Sequence, residues 1–141
     1  MNTQASLLPV TRELVPEDQR LAITEQLFGM AFPLQLEPVV YGVTDRMTGD
    51  YTGGYWNFYT LSNGGFYMAP SEIRVFHVKC QNMYEGDLSG DALGITACLY
   101  AYSNLSISLS DIAREYARHY QLLREYMVEH AEVSAIVAAT D

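Results

Sequence analysis

The feature that most constrains the fold is a run of aromatic side chains and glycines between Gly53 and Pro70. Aromatic residues flank the dipeptide Asn63-Gly64 on both sides, namely Tyr55, Trp56, Phe58 and Tyr59 before it and Phe66 and Tyr67 after it. Asn-Gly between such runs predicts a β-hairpin, because a type I′ turn needs positive φ at both central residues. We therefore expect strands at residues 55–61 and 65–69. Pro70 should end the second strand, because proline has no N–H to donate to a ladder.

The aromatic side chains of this hairpin have two plausible uses. Phe, Tyr and Trp bury large areas, so we expect most of these rings to lie in the core. Rings left outside the core suit a protein partner, since Tyr and Trp are enriched in protein interfaces. Stacking on single-stranded nucleic acid needs a basic groove as well. The 8 basic residues of this chain do not supply one.

The charge of the chain is strongly acidic. Asp and Glu number 17 against 8 Lys and Arg, giving a net charge of −9, and Lys79 is the only lysine. Phosphate contacts need clustered Lys and Arg, so we expect no direct nucleic-acid binding. The negative charge either keeps the protein soluble or attracts a basic partner. Mimicry of DNA would be the most specific case of the second alternative. The carboxylates are scattered, which favours solubility over mimicry.

Length and composition indicate one domain. A chain of 141 residues with 49% hydrophobic residues can form a single core. We expect residues 1–14 to be a loose arm and residues 15–141 to form the domain. No apolar run approaches the ~20 residues of a membrane span, and the N-terminus does not resemble a signal peptide. Cys80 and Cys98 are then best interpreted as reduced thiols of a cytoplasmic protein.

The first half of the chain predicts one helix and a small antiparallel sheet. Pro16 and the acids after it indicate a helix over 16–28 that ends at Gly29. The β-branched and aromatic stretch 39–43 predicts a short strand. A polar loop over 44–54 follows and contains Asp45 and Asp50. Alternation over 73–79 predicts a half-buried strand, which brings the sheet to three or four strands.

The second half predicts helices. Apolar spacing indicates an amphipathic helix over about 89–104, capped by Ser89. Ser108-x-x-Asp111 resembles a capping box before the next helix. That helix carries an apolar stripe of Ile112, Tyr116, Tyr120, Leu123 and Met127. A last helix spans about 131–139. The fold class is therefore α+β, with three or four helices packed on the sheet.

The sequence lacks the common catalytic motifs. It contains no GxSxG, P-loop, HExxH or zinc-spaced Cys/His cluster. Glu115 and His119 lie four residues apart on one helix, a spacing more typical of a surface pair than of a catalytic dyad. Asp45 and Asp50 are two metal-ligand types on one loop, but no third ligand is evident. A small metal-dependent hydrolase built on that loop remains the alternative from a different functional class.

The hairpin segment resembles the signature of the ArdB/KlcA antirestriction proteins. The matching residues are Gly53, Gly54, Tyr55 and Trp56, then Asn63, Gly64 and Gly65, and finally Pro70. The resemblance continues through Glu85-Gly86-Asp87, Gly94-Ile95, the stretch 123–126, Glu129-His130 and the chain end, so it covers roughly residues 40–141. Asn57 departs from the pattern, because an acidic residue is expected at that position.

The resemblance implies a function without catalysis. Proteins of this family antagonise type I restriction-modification systems and protect incoming DNA of plasmids and other mobile elements. The implied partner is the restriction enzyme or its complex on DNA, and no cofactor is implied. The acids that we expect to contact a basic partner are Asp141, Glu132, Glu129, Asp45 and Asp50. The alternative for Asp141 is a frayed, solvated chain end.

Overall fold

The computed structural model describes residues 8–141. The strands are β1 (Arg12–Leu14), β2 (Trp56–Leu61), β3 (Phe66–Pro70), β4 (Val75–Lys79) and β5 (Glu85–Ser89). The α-helices are α1 (Arg20–Phe28), α2 (Glu37–Met47), α3 (Gly90–Ser106), α4 (Ala113–Met127) and α5 (Val133–Thr140). A 3₁₀ turn (Glu17–Gln19) precedes α1, and a π-helical turn (Phe32–Leu36) precedes α2. The predicted α+β class is confirmed, although the strands form two sheets.

The aromatic hairpin is present, and its turn differs from the predicted one. β2 and β3 pair antiparallel with Trp56 opposite Pro70, and Pro70 ends the second strand as expected. Gly64 has a φ of +95°, whereas the positive-φ non-glycine residues of the described chain do not include Asn63. The prediction of a type I′ turn is therefore wrong. The Gly64 N–H donates to the Leu61 carbonyl over 2.9 Å, the geometry of a three-residue loop with a glycine bulge.

The side chain of Asn63 explains this turn. Its Oδ1 accepts the Gly65 N–H at 3.0 Å, and its Nδ2 donates to the Leu122 carbonyl at 2.9 Å and to Glu125 at 2.8 Å. Helix α4 thus holds the turn in place. The contact of Asn63 with α4 favours this turn type, and the Asn-Gly sequence alone does not predict that contact.

Part of the predicted loose arm is a strand. Arg12, Glu13 and Leu14 pair with Leu61, Thr60 and Tyr59, so β1 forms the edge of a three-stranded sheet in the order β1-β2-β3. Residues 1–7 of the predicted arm lie outside the described part of the chain. The three side chains of β1 are exposed, which is why their sequence carries no apolar alternation.

A second, two-stranded sheet joins β4 and β5. The predicted alternation in β4 is confirmed, since Phe76 and Val78 are buried while Val75, His77 and Lys79 are exposed. Its partner β5 was not expected, because Glu85-Gly86-Asp87 has little strand propensity. The predicted single sheet is therefore divided into a sheet of three strands and this hairpin.

The strand predicted over 39–43 is wrong, because this segment lies within α2. Pro38 occupies the first turn of that helix, where its missing N–H costs nothing. Val40, Val43, Thr44 and Met47 are buried at spacings of three and four residues, so burial of one helix face overrides β propensity. Helix α2 also extends into the predicted 44–54 loop.

Helix α3 lies at the centre of the molecule. Ser89 caps it as predicted, since its Oγ accepts the Ala92 N–H at 3.1 Å. The helix is not amphipathic as expected, because the residues from Ala92 to Leu99 are all buried. Small residues let it approach β3 closely: a Cβ built on Gly94 would lie 2.3 Å from the Ala69 Cβ. The sheet, the second hairpin and the other helices pack around this helix.

Helices α4 and α5 cover the remaining sides of α3. The apolar stripe of α4 is largely confirmed, with Tyr116, Leu123 and Met127 buried and Ile112 and Tyr120 half-buried. The predicted capping box is wrong, because Ile112 precedes the helix without a side-chain cap and Ser108 instead bonds Ser110. Within residues 8–141, no helix is both long enough and apolar enough to cross a membrane.

Candidate functional site on the second hairpin

The outward face of the β4–β5 hairpin gathers acidic side chains around one histidine. We call His77, Glu85, Asp87 and Asp50 the acidic hairpin face. His77 lies directly opposite Asp87 in the strand register, and cross-strand neighbours on one face of an antiparallel pair are close enough to interact. Half or more of the side chain is exposed for His77, Glu85 and Asp87, at 51%, 51% and 65%. This face is therefore accessible to a partner.

His77 is held between two carboxylates. Its Nδ1 lies 2.8 Å from Asp87 Oδ1 and its Nε2 lies 2.8 Å from Glu85 Oε2. A carboxylate can only accept when it is ionised, so this geometry favours the form of the imidazole in which both ring nitrogens donate. Accordingly, the hydrogen bond to Glu85 and then that to Asp87 raise the pKa of His77. The hydrogen bond between His77 and Glu85, followed by the charge of Lys79, lowers the pKa of Glu85.

Asp50 joins this face from the loop after α2. Its Oδ2 accepts the backbone N–H of His77 at 2.9 Å, and Arg74 Nη2 lies 4.0 Å from its other oxygen. Asp50 therefore fastens the loop to the outer edge of β4. The sequence predicts Asp50 as a partner-binding acid, and in the structure its carboxylate makes these internal contacts.

Two of the predicted C-terminal acids also meet the hairpin. Glu132 accepts the backbone N–H of Ser89 at 3.0 Å and the Ser89 hydroxyl as well, so it links α5 to the end of β5. Asn82, in the β4–β5 turn, donates to a main-chain carboxylate oxygen of Asp141 at 2.6 Å. The side chains of Asp141 and Glu129 are exposed. Glu132 and Asp141 thus border the hairpin that carries the acidic face.

Asp45 lies apart from this arrangement. It is exposed on α2 and is not a loop residue, while Asp50 is bound to β4. Within residues 8–141 the structure contains no group of three or more His, Cys, Asp or Glu side chains placed to hold a metal ion. Within these residues, the structure therefore supplies no set of metal ligands for the alternative of a metal-dependent hydrolase.

A half-buried polar cluster around Asp91 adjoins the hairpin and was not predicted. Asp91 Oδ1 accepts from Arg12 at 2.7 Å and from the Tyr67 hydroxyl at 2.8 Å, and Oδ2 lies 2.8 Å from His130 Nε2. The Glu132 N–H donates to His130 Nδ1. Because Nδ1 accepts this N–H, Nε2 is the ring nitrogen that donates to Asp91. The cluster joins β1, β3, α3 and the α4–α5 connection.

The Asp91 cluster is electrostatically satisfied. Burial alone raises the pKa of Asp91, but the hydrogen bonds from His130 and Tyr67 and the charge of Arg12 lower it below its ordinary value. The Arg12 guanidinium also stacks 4.2 Å above the ring of Tyr59. Arg12 and Asp91 are separated by 79 residues along the chain, so no local spacing signals their pairing.

His119 is a core residue and does not form the predicted surface pair with Glu115. Its side chain is 0% exposed, and neither ring nitrogen has a hydrogen-bond partner within the described chain. Glu115 instead pairs with Arg118. Phe28 and Tyr102 pack against the imidazole with ring centroids 4.6 and 5.6 Å away. Burial, followed by the charge of Arg118, lowers the pKa of His119 to about 4.

The two thiols are separate and enclosed. Cys80 and Cys98 are both buried and free. Cys80 Sγ lies 3.9 Å from the Met47 sulfur, and Cys98 Sγ donates to the Met68 carbonyl at 3.6 Å. Burial raises the pKa of both thiols, that of Cys98 to about 12, which disfavours the reactive thiolate.

Fold and surface together define a small acidic α+β protein whose second hairpin exposes several carboxylates. A family model described as antirestriction protein matches residues 49–141. The antirestriction protein KlcA of Escherichia coli is 39% identical over 144 residues, covering 100% of both chains. The putative antirestriction protein YubI of Escherichia coli strain K12 is 36% identical over 141 residues, covering 94% of this chain and 96% of YubI. This chain therefore belongs to the antirestriction protein family.

A solved structure shows the same fold. It superposes with a TM-score of 0.87 at 39% identity, covering 95% of this chain and 96% of the other. That structure is described as showing that KlcA and ArdB have a novel fold and antirestriction activity against type I DNA restriction systems in vivo but not in vitro. The predicted ArdB/KlcA resemblance is confirmed, and it extends into the N-terminal third, where the sequence alone gave little support.

The signature residues of the resemblance have structural roles. Trp56 is buried and donates to the Tyr51 hydroxyl at 2.9 Å, and Asn63 binds α4. A Cβ on Gly65 would lie 2.9 Å from Leu61 and 3.0 Å from Leu122. Gly53 and Gly54 have φ of 98° and 120° in the connection to β2, and Tyr55 is exposed. Most of the signature therefore supports the aromatic hairpin, which is a different element from the acidic one.

Proposed function

We propose that this protein relieves type I restriction of incoming DNA in the cell. It does so as an inhibitor that acts through protein contact and without catalysis. The observation that supports this most strongly is the match to KlcA over the whole chain, in sequence and in fold. Its working place is the cytoplasm, where entering plasmid or other mobile-element DNA meets the restriction enzyme.

The partner is the type I restriction enzyme or its complex on DNA. The activity described for KlcA and ArdB is seen in vivo but not in vitro. This difference favours a partner in the state that the cell maintains, with its DNA and any accompanying factor, over an isolated enzyme. The present chain does not bind DNA itself, because its net charge of −9 repels phosphates.

The contact surface of the proposal is the acidic hairpin face together with Glu129 and Asp141. Their exposed carboxylates suit a cationic protein surface such as a DNA channel. Glu132 contributes by fixing α5 against β5 through Ser89, and Asp45 adds charge from α2. Exposed charges at a protein interface affect the association rate and the choice of partner more than the affinity.

A DNA mimic that displaces many DNA-binding proteins is the second candidate, and the negative charge favours it. A mimic requires a long regular stripe of carboxylates. Here the acids of the hairpin face surround one histidine and are partly neutralised by it. A local patch complementary to one partner fits this arrangement better than a stripe.

Plating efficiency tests the proposal. Unmodified phage is plated on cells that carry a type I system, with and without the protein at confirmed expression, and on a host without restriction. Relief of restriction raises the plating of unmodified phage on the restricting cells and leaves the non-restricting host unchanged. Equal plating with and without the protein on the restricting cells contradicts the proposed function.

A further inference from the structure

A small cleft with two cationic side chains in its lining lies where α2, β4 and α3 meet. Its rim carries Arg46 from α2, Lys79 and Gln81 from β4 and the turn after it, and Asn104 from α3. The volume is about 50 Å³. A single water needs roughly 10–15 Å³ measured in the same way, so the cleft has room for a few waters or for one compact chemical group.

Neither cation of this cleft is held in a salt bridge within residues 8–141, although the charge of Lys79 acts on Glu85. Within residues 8–141 the salt bridges involve Arg12, Arg74 and Arg118 and two histidines, and they include neither Arg46 nor Lys79. Lys79 lies opposite Glu85 in the strand register, but that carboxylate is hydrogen-bonded to His77. Among residues 8–141, no Asp or Glu lines the cleft. Two of the 8 basic residues of a chain with net charge −9 therefore converge on one cavity.

The remaining walls are apolar and aromatic. Val43 and Met47 are 5% and 6% exposed, and both line the cleft beside Tyr100. The Tyr100 hydroxyl is fixed by donating to the Ala139 carbonyl at 2.6 Å. A ligand held by the cations would therefore rest its body against a preformed apolar surface.

The geometry points to a site for the phosphate group of a small phosphate monoester, an assignment beyond the proposed function and independent of it. Arg46 and Lys79 supply charge-assisted donors, and the amides of Gln81 and Asn104 add neutral ones. Four donor side chains from α2, β4, the turn after β4 and α3 suit a tetrahedral phosphate, which has more acceptor oxygens than a carboxylate. The apolar walls take part of the organic group that the phosphate carries.

A small ligand fits this site better than nucleic acid. The ionic interaction of exposed charges fades over about 10 Å at ordinary salt. A single phosphate therefore responds to the two cations and to Glu85, the register partner of Lys79, and less to acids farther along the hairpin. Duplex DNA carries a charge about every 1.7 Å of its axis. It would extend from Lys79 over Glu85 and Asp87 on the same hairpin, where its phosphates are repelled.

The test is an NMR titration of the full chain that follows the backbone amides. Phenyl phosphate is the main probe, with inorganic phosphate and benzoate as comparisons and a short DNA duplex as competitor. We expect saturable shifts at Lys79, Gln81 and Asn104 with phenyl phosphate, and weaker binding of the other two small probes. Arg46→Gln and Lys79→Gln should each weaken binding of phenyl phosphate about tenfold, since each removes a charge-assisted contact.

Arg114→Gln is the matched control, because Arg114 is exposed, lies outside the cleft and loses the same charge. Its affinity should equal that of the unsubstituted chain. Absence of saturable shifts, or equal affinity in both cleft variants, overturns the site. Benzoate binding as tightly as phenyl phosphate overturns the preference for phosphate. If inorganic phosphate binds as tightly as phenyl phosphate, the apolar walls have no role in binding. If duplex DNA displaces phenyl phosphate, the assignment to a small phosphate monoester is overturned.

Discussion

At the scale of single residues, the aromatic hairpin depends most on Trp56. Its ring is 3% exposed and packs edge-on against Tyr41 and Tyr51, with centroids 5.1 and 5.8 Å away. Its indole N–H is bonded to Tyr51, so the polar atom is satisfied where the ring is buried. This residue joins β2 to α2 and to the loop that carries Asp50.

Trp56→Ala should severely destabilise the domain. Removing a buried Trp typically costs about 3–5 kcal/mol, a large share of the roughly 5–15 kcal/mol of a whole domain. Thermal and urea unfolding measure the loss. Tyr55→Ala is the control, because Tyr55 is 51% exposed in the neighbouring position and should change stability far less. A melting curve for Trp56→Ala close to that of the unsubstituted chain would contradict the packing role.

His119 should make stability depend on pH. The folded pKa of about 4 lies below the ordinary 6.5, so the folded state holds the imidazole neutral. The stability associated with this residue is complete above about pH 6.5 and is lost as the pH falls toward 4. The difference corresponds to about 3 kcal/mol. Urea unfolding at several pH values should show this decline.

His119→Phe tests the cause of that decline. The substitution removes two unpaired nitrogens from an aromatic pocket, so stability near neutral pH should rise by about 1–3 kcal/mol. The decline between pH 6.5 and 4 should become smaller. His77→Gln changes an exposed histidine and serves as the control, which should retain the decline. An unchanged pH profile for His119→Phe would show that other groups cause it.

The charge on His77 is a separate residue-scale prediction. NMR titration of its imidazole should give a pKa above the ordinary 6.5 in the intact protein, because Glu85 and Asp87 favour the charged ring. Glu85→Gln and Asp87→Asn should each lower that pKa. The ion pairs are complete below about pH 6.5 and are lost as the pH rises through the folded pKa. Equal titration in all three proteins would mean that the carboxylates do not hold the ring.

At the scale of elements, the contact between α3 and β3 fixes the core. Helix α3 can lie against the sheet only because Gly94 has no side chain at the point of closest approach. A Cβ there would lie 2.4 Å from the Met68 carbonyl oxygen and 2.3 Å from the Ala69 Cβ. Backbone atoms cannot turn aside as a flexible side chain can, so the two elements would have to separate.

Gly94→Ala should therefore destabilise the protein even though alanine is the better helix former. Overpacking of a tight core typically costs about 1–3 kcal/mol, against about 1 kcal/mol gained in helix propensity. Gly42→Ala in α2 is the matched control. Within the described residues, a Cβ there meets only the Arg46 side chain, at 3.6 Å, so stability should hold or rise. Equal unfolding midpoints for the two variants would contradict the close approach.

The elements differ in how well their sequence predicts them. Strands β2 and β4 follow from aromatic content and alternation, and Ser89 signals the start of α3. In residues 39–43, β-branched propensity competes with the buried helical face of Val40, Val43 and Met47, and tertiary burial decides. β5 has no apolar alternation, because Asp87 and Glu85 face solvent and Leu88 alone is fully buried.

At the scale of the whole molecule, the acidic hairpin face is a product of topology. The sequence identified Asp50, Glu132 and Asp141 as separate candidates. Folding brings all three to one hairpin, to His77, Ser89 and Asn82 respectively. The Asp91 cluster was not predicted, because its partners meet only after the chain has folded. The family signature points to the proposed function through residues of the aromatic hairpin, of which Trp56, Gly65 and Pro70 are buried.

The central claim is that the acidic hairpin face contacts the restriction complex. Variants in which carboxylates are replaced by neutral amides test it most directly through their relief of restriction. One variant combines Glu85→Gln, Asp87→Asn, Glu129→Gln and Asp141→Asn on and beside the hairpin. The matched variant combines Glu17→Gln, Asp18→Asn, Glu25→Gln and Asp111→Asn, all exposed elsewhere. Each variant removes the same charge, so net charge and solubility change alike.

Unmodified phage is plated on type I restricting cells that express each protein at matched levels. If the hairpin face contacts the restriction complex, the first variant loses most of its protection while the second protects like the unsubstituted chain. Equal protection by the first variant would contradict the account. Equal loss in both variants would also contradict it, since net charge and not the hairpin face would then be responsible.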